Sequence, residues 1–378
     1  MSAAGLVLTL NAGSSSLKAA LYDGADPPSV LMRDSVERIG AGGPGDHDAA
    51  ASSVLAKLAP FGGLDAVAAV GHRVVHGGAR YEGPARVDDA LLAELRRLAP
   101  LDPQHLPAEI ALIEAFVQRA PTTPQVACFD TAFHRTMPRV SRLVALPHRY
   151  GDAGVERFGF HGLSCTFVLR ELRRLAGEHA ASGRVVVAHL GSGASITAVR
   201  DGRSIDTTMG FTPTGGIPMG TRSGDLDPGV LVHLARTEGL DAAALDDLVN
   251  RRSGLAGVSG ESADMRDLLA REAQDSRAAD AVALFCHAAK KAIGALAAVL
   301  GGVDTLVFTA GIGERSSVVR ARIVQGMEHL GMLLDHDLND RHAPVISTPP
   351  SACTVRVMKT DEELVLALET RRLLGETP

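Results

Sequence analysis

Leu6-Val-Leu-Thr-Leu-Asn11-Ala-Gly13-Ser-Ser-Ser16-Leu-Lys18-Ala-Ala-Leu-Tyr-Asp23-Gly24 holds two apolar runs parted by a polar turn. Leu6 to Leu10 reads as a buried strand, and Leu17 to Tyr22 resumes the apolar pattern up to an Asp23-Gly24 turn signal. The unit is therefore strand, turn, strand. Gly13 lets backbone approach a ligand, Ser14, Ser15 and Ser16 offer hydroxyl and amide donors, and Lys18 adds a cation. Such a set suits phosphate oxygens. It is not a Walker loop, because GxxxxGK[ST] is absent and no helix follows at once. Read alone, the same stretch is equally a serine-rich hairpin turn with one exposed lysine.

The pattern returns later. Val185 to Gly202 reads as an apolar strand, Gly191-Ser192-Gly193, a second strand and Asp201-Gly202. At an offset of 178 residues the two segments match at Val7/Val185, Gly13/Gly191, Ser14/Ser192, Ala20/Ala198, Asp23/Asp201 and Gly24/Gly202. A chain of 378 residues holds two domains with ample core. Two halves that each open on a strand, loop, strand unit follow from these observations.

Composition narrows the function classes. The net charge is −6, with both signs interspersed, which gives no electrostatic case for nucleic acid. Cys128, Cys165, Cys286 and Cys353 lack paired metal-ligand spacing and read as buried thiols of a cytoplasmic protein. No charged start followed by a long apolar run is seen, so no signal peptide is expected. No run reaches the roughly 18 uninterrupted apolar residues of a membrane span; Ala288 to Leu300 is interrupted by Lys290 and Lys291.

Along the chain, strands are expected near 32–39, 66–75, 126–129, 305–309 and 355–358. Helices are expected near 49–58, 88–98, 107–119, 164–176, 228–237, 242–251, 263–272, 277–300, 316–330 and 361–374. Asp88 serves as an N-cap and Pro107 as a first-turn residue. The last helix carries acidic residues in its first turn and Arg371 and Arg372 near its end, as the helix dipole favours.

The segment Asn11-Ala-Gly-Ser-Ser-Ser-Leu-Lys18 resembles the signature of the acetate kinase family. Further blocks resemble that family in the same order: Gly71 to Gly78, Phe129 to His134, Phe158 to Gly162, His189 to Gly191, Met209 to Pro213, Met219 to Asp225, Asp264 to Asp267, Thr309 to Glu314 and Thr360 to Leu364. The resemblance implies an α/β fold of two duplicated ribonuclease-H-like (actin-like ATPase) domains with the active site in the cleft between them. It implies a first domain of 1–152 completed by the C-terminal helix 361–378, and a second of 153–360 that binds nucleotide and dimerises. The implied reaction is ATP-dependent phosphorylation of a short carboxylate, acetate or propionate, to an acyl phosphate, and the reverse.

The resemblance also assigns residues. Arg73, Arg222, Asp130 and His161 are the catalytic set. Arginine suits the task because guanidinium is permanently charged and grips planar oxyanions bidentately. His161 would donate a hydrogen bond to the moving phosphoryl group. Asp130 matches the family's essential aspartate. A carboxylic acid substrate is already ionised at neutral pH, so orienting an arginine or a metal-bound water is a more economical role than removing a proton. Arg73, Val75, Leu101, Phe160 and Pro213 would bind the acyl substrate, the last four lining a small apolar pocket. ATP or ADP would meet Ser14, Ser16, Lys18, His189 to Gly193 (Leu190, Gly191 and Ser192 between them), Asp264, Met265, Arg266, and Gly311 to Arg315 (Ile312, Gly313 and Glu314 between them). Asn11 and Glu362 match the metal positions for Mg2+, with Mn2+ as a substitute, and Glu363 faces another side of its helix. The implied partners are a small carboxylate, ATP and a second copy of the chain, with no membrane and no nucleic acid.

The chain departs from the family pattern at Ser192, Cys165, Gly215, Arg315 and the turn Asp102-Pro-Gln-His-Leu-Pro107. These departures bear on substrate preference and nucleotide contacts more than on the catalytic set. The alternatives are a butyrate or other acyl kinase, a sugar kinase of the same superfamily, and an actin- or chaperone-like ATPase.

Overall fold

Six strands and five strands form two separate mixed sheets in a computed structural model that describes residues 5–13, 16–37, 39 and 47–375. The chain divides into two compact units. Met1–Arg135, Phe160–Phe167 and Asp361–Pro378 make the first, and Thr136–Gly159 with Val168–Thr360 make the second. Set beside the expected split at 152/153, residues 136–152 belong to the second unit and 160–167 to the first, while the terminal segment belongs to the first.

In the first unit β1 (Leu6–Ala12) pairs antiparallel with β2 (Ser16–Tyr22), which pairs antiparallel with β3 (Val30–Glu37). On the other side of β1 lie β4 (Val67–Val74), the two-residue β5 (Ala85–Arg86) and β6 (Gln125–Phe129), in the order β3-β2-β1-β4-β6-β5. β1, β4 and β6 run parallel, so the residues that end β4 and β6 come to the same edge. Both faces of the sheet are covered, which is why β1 reads as a continuous apolar run. Leu8, Leu10 and Leu17 face a cluster with Ala50, Val54, Leu112 and Phe116 from helices His47–Ala56 and Leu106–Arg119. Val7, Ala20 and Tyr22 face Ala367 of helix Glu362–Leu373. That helix lies so close to β4 that a Cβ at Gly71 would overlap Thr370.

The second unit repeats the plan. β7 (Val185–Leu190), β8 (Ala194–Arg200) and β9 (Arg203–Thr207) run antiparallel, and β10 (Thr305–Thr309) and β11 (Thr354–Val357) continue parallel from β7. The order β9-β8-β7-β10-β11 mirrors β3-β2-β1-β4-β6, so the repeated sequence pattern corresponds to a repeated sheet. Helix Ser276–Leu300 is long and apolar enough by length and hydropathy to cross a bilayer, which a count of uninterrupted apolar residues does not register. Its buried face, including Ala281, Phe285, Ala289, Ile293 and Leu296, belongs to the core of this unit.

Several expected elements shift for identifiable reasons. The expected helix at 316–330 is Ser317–Val324 followed by a separate turn, Glu328–Leu330, because Gly326 between them takes φ +81°. The expected strand at 32–39 begins earlier, at Val30, and ends at Glu37. All four cysteines are buried, and among the described residues no disulfide forms.

Candidate active site

In the first unit the site is built on strand ends. β4 delivers Arg73 opposite Cys128 of β6, and Asp130 follows directly, its N–H donating to the Val74 carbonyl over 3.0 Å. Asp130 grips Arg73 with both oxygens: Nη2 to Oδ2 is 2.6 Å and Nε to Oδ1 is 3.3 Å. The same guanidinium donates through Nη1 to Asn11 Oδ1 at 3.2 Å. Asn11 Nδ2 in turn faces Glu362 Oε2 at 3.4 Å, and Arg73 Nε lies 4.0 Å from that oxygen. Four residues far apart in sequence thus form one polar group, with Asp130 buried and the other three half-buried.

The electrostatics follow from that burial. Burial works against the charge on Arg73, but Asp130 and Glu362 outweigh it and hold the guanidinium ionised. Burial pushes the Glu362 carboxyl up to about 7, against the pull of Arg73 and Lys18 and with the push of Asp130 and Glu363. Glu363 does not join the group; it lies 3.9 Å from Arg33 on β3. Lys18, paired across the hairpin with Asn11, is exposed and lines a cavity of about 320 Å³ with Arg33, Asp34, Ser35 and Glu363.

His161 precedes helix Gly162–Ser182 with φ +59°, in the left-handed region that few non-glycine residues occupy, His, Asn and Asp more often than others. Gly162 explains how the segment reaches the group. Its N–H donates to the Asp130 carbonyl at 3.0 Å, and a Cβ there would overlap that oxygen. Val75 and Phe160 are buried nearby in the same unit, and Leu101 ends the turn Ala99–Leu101. His76 stands edge-on to Phe160 with ring centres 5.6 Å apart, and His134 donates from Nε2 to the Phe160 carbonyl at 2.8 Å. Two polar anchors escaped sequence reasoning. Thr131 Oγ1 accepts from Gly77 N at 3.0 Å, and Glu109 accepts from Val75 N at 2.9 Å. Thr131 lies inside the block Phe129 to His134 but is assigned no role there, and Glu109 carries no sequence signal, since it reads as an ordinary helix residue.

In the second unit a cavity of about 650 Å³ is lined by Gly191, Ser192, Asp264, Met265, Arg266, Gly311, Ile312 and Arg315. That volume lies in the range of small-molecule and cofactor sites. β7 and β10 run side by side with His189 opposite Thr309, which places the loop Gly191-Ser192-Gly193 and the segment after β10 together. That segment is helical, Ala310–Arg315, entered through Ala310 at φ +64°. Glu314 Oε1 accepts from Ala310 N at 3.0 Å and Thr360 N at 3.1 Å, so its carboxylate holds the segment rather than facing the cavity alone. Asp264 caps helix Met265–Arg271 and pairs with Arg266. Ala263, Leu269 and Ser316 complete the lining and lack a motif of their own. His189, Leu190 and Gly313 are buried. Arg222 and Pro213 also belong to this unit, Arg222 Nη1 donating to the Pro213 carbonyl at 3.3 Å. Pro213 is therefore in a different unit from Val75, Leu101 and Phe160. Ser16 begins β2, and Ser14 lies outside the described residues.

Comparison with known proteins agrees across the chain. The family model described as Acetokinase family matches residues 41–368. The acetate kinase of Methylocella silvestris is 45% identical, with 98% of each chain covered. The acetate kinase of Micrococcus luteus is 46% identical over 97% of this chain and 99% of its own. Among solved structures, the acetate kinase of Porphyromonas gingivalis superposes with a TM-score of 0.89 at 37% identity, covering 98% of this chain and 100% of that one. A propionate kinase from Francisella tularensis superposes with a TM-score of 0.91 at 34% identity, covering 97% and 99%. With matches of this extent in sequence and in fold, the chain belongs to the acetokinase family.

Proposed function

We propose that this protein transfers the γ-phosphoryl group of ATP to a short-chain carboxylate, acetate or propionate, giving ADP and the acyl phosphate, and runs the reverse reaction. The observation that carries this reading is Arg73, half-buried at the end of β4, its guanidinium held by both oxygens of Asp130, with the buried apolar residues Val75 and Phe160 in the same unit. Family membership supports it.

Phosphoryl transfer is chiefly a matter of positioning and charge stabilisation. Arg73 binds the acceptor carboxylate, and Arg222 supplies the second fixed cation. A carboxylate oxygen attacks the γ-phosphorus in line as the bond to the β-phosphate oxygen breaks, and no proton has to leave the acceptor. Asp130 keeps Arg73 oriented, a role supported by both its oxygens being taken up by the guanidinium. His161 donates to the moving phosphoryl oxygens. The second unit's loops at 189–193, 264–266 and 311–315 bind the nucleotide, and Ser14, Ser16 and Lys18 contact phosphate.

The residues present fit a Mg2+ ion. Glu362 is a half-buried carboxyl that feels the charge of Asp130 and is only partly compensated by Arg73, a setting that a dication relieves. Asn11 and Glu362 would hold it, and when bound it would neutralise phosphate charge.

The test is ADP release with ATP and acetate, propionate or butyrate, and with no carboxylate. Turnover that requires acetate or propionate supports the reading. ATP turnover indifferent to carboxylate would favour the chaperone-like ATPase instead. We also read the second unit as the dimerisation unit of a cytoplasmic homodimer, for which Val230, Val232 and Leu284, each more than 40% exposed, are candidate contacts. Sedimentation of a monomer at micromolar concentration would overturn that.

A further inference from the structure

We infer that Glu109 is a positioning residue for the acceptor carboxylate, working as the uncharged acid: it holds the Val75 amide beside Arg73 while adding no negative charge where an anion binds. This rests on the proposed carboxylate kinase activity and deepens it.

Glu109 lies in the first turn of helix Leu106–Arg119, where acidic residues usually face solvent. Here it is 1% exposed. One oxygen accepts from Val75 N at 2.9 Å, two residues beyond Arg73, and the other has no partner among the described residues. No cation among the described residues pairs with it. A buried carboxylate without a cation and with half its hydrogen bonds unmade sheds its charge by keeping its proton. Burial accordingly pushes the group up to about 8; Arg73 and the Val75 amide pull it down, and Asp102 and Asp130 push it back up. The helix dipole favours the anion, but full burial outweighs it.

The surrounding charges give the neutral form a purpose. From β4 come Arg73 and His72, the latter kept neutral by burial. From the turn before the helix comes Asp102, paired with His105 at 2.8 Å. From the end of β6 comes Asp130. Further along the helix, Glu114 pairs with Arg96 and Arg119 with Asp48. Arg73 already faces Asp130 and Glu362. An ionised Glu109 would set a third carboxylate against one guanidinium, and an anionic substrate would then meet net repulsion. By linkage, substrate binding and ionisation of Glu109 oppose one another.

The experiment measures KM for acetate, KM for ATP and kcat from about pH 6.5 to about pH 9.5 in wild type, Glu109→Gln and Glu109→Ala. In wild type the acetate KM should rise about tenfold between about pH 7 and about pH 9.5, a coupling of about 1.4 kcal/mol, with kcat and the ATP KM nearly flat. Glu109→Gln keeps the acceptor for Val75 N and stays neutral, so its acetate KM should be within about threefold of the wild-type value near pH 7 and flat above about pH 8, beyond the range in which Glu362 titrates. Glu109→Ala should raise the acetate KM at every pH. An unchanged alkaline rise in Glu109→Gln, a flat wild-type profile, or a tenfold loss in Glu109→Gln near pH 7 would each overturn the inference while acetate turnover itself persisted. Wild-type turnover indifferent to carboxylate would instead remove the functional reading and this inference with it. Carbon NMR of glutamate-labelled wild type gives a check that needs no variant: one carboxyl should titrate near pH 8, and its absence counts against the proposal.

Discussion

Arg73 and Asp130 form a single working group, and exchanging either partner tests a different property of it. Arg73→Lys keeps a charge but loses the fork that Asp130 holds at Nε and Nη2. We expect kcat/KM for acetate to fall by a factor corresponding to about 3–4 kcal/mol, the usual size of a lost preorganised charge contact. Arg222→Lys should fall by a similar factor. Steady-state kinetics with near-normal kcat/KM in either variant would remove that arginine from the transition state. Asp130→Asn should keep residual activity while raising the magnesium concentration needed for half-maximal rate. An inactive Asn variant with unchanged magnesium dependence would restore a proton-transfer role. Val75→Ala should enlarge the acyl pocket. One methylene is worth about 1–3 kcal/mol in apolar discrimination, so kcat/KM for propionate or butyrate should gain on acetate. An unaltered ratio in a folded variant makes Val75 ordinary core.

At the scale of elements, buried titratable groups set how stability depends on pH. Burial holds His72 and His134 down at about 4, so the stability they confer is lost as pH falls below about 6.5. Glu109 and Glu362 are raised, to about 8 and about 7, so their contribution is complete below the ordinary carboxyl range and is lost as pH rises through those values. The two effects oppose each other between about pH 4.5 and about pH 6.5; only the carboxyls act from there to about pH 8. Over that upper window wild type should lose about 2 kcal/mol through Glu109 alone, read as a falling urea midpoint, and Glu109→Gln should lose correspondingly less. Equal slopes in the two proteins would place the ionisation elsewhere. Glu109 also marks where legibility ended. Strand ends bearing Arg73 and Asp130 were readable because alternation and apolar runs locate strands, and the Asp88 cap forms as read, accepting from Leu91 N at 2.7 Å. An acid in a first helical turn, by contrast, reads as a complement to the dipole, and only tertiary packing reveals that it is buried. The helices Gly254–Ser259 and Ala310–Arg315 were missed because each contains two glycines, which local propensity assigns to loops. Tertiary contacts override that propensity, as where Leu255 N donates to the Met219 carbonyl at 2.8 Å.

For the whole molecule, the repeated sheet order suggests that each half contributes one ligand-binding role from equivalent strand ends. β1 and β4 carry Asn11 and Arg73, whereas β7 and β10 lead into the loop at 191–193 and the segment at 311–315. Acceptor and nucleotide recognition should then be separable by mutation. Ala263 lines the nucleotide-sized cavity and is exposed, so Ala263→Leu fills space without disturbing a core. We expect it to raise the ATP KM about tenfold, by steric exclusion of a bound ring, with the acetate KM and the melting temperature nearly unchanged. Val75→Ala should do the reverse, shifting carboxylate preference while leaving the ATP KM in place. A double variant should show the sum of the two effects in kcat/KM, since residues that share no partners usually add to within about 0.5 kcal/mol. If Ala263→Leu moved both KM values together, or left the ATP KM unchanged, the cavity would not be the nucleotide site and the division of labour between the two halves would fail. Titration with a fluorescent ADP analogue decides it independently of turnover, because only the Ala263 variant should weaken that binding.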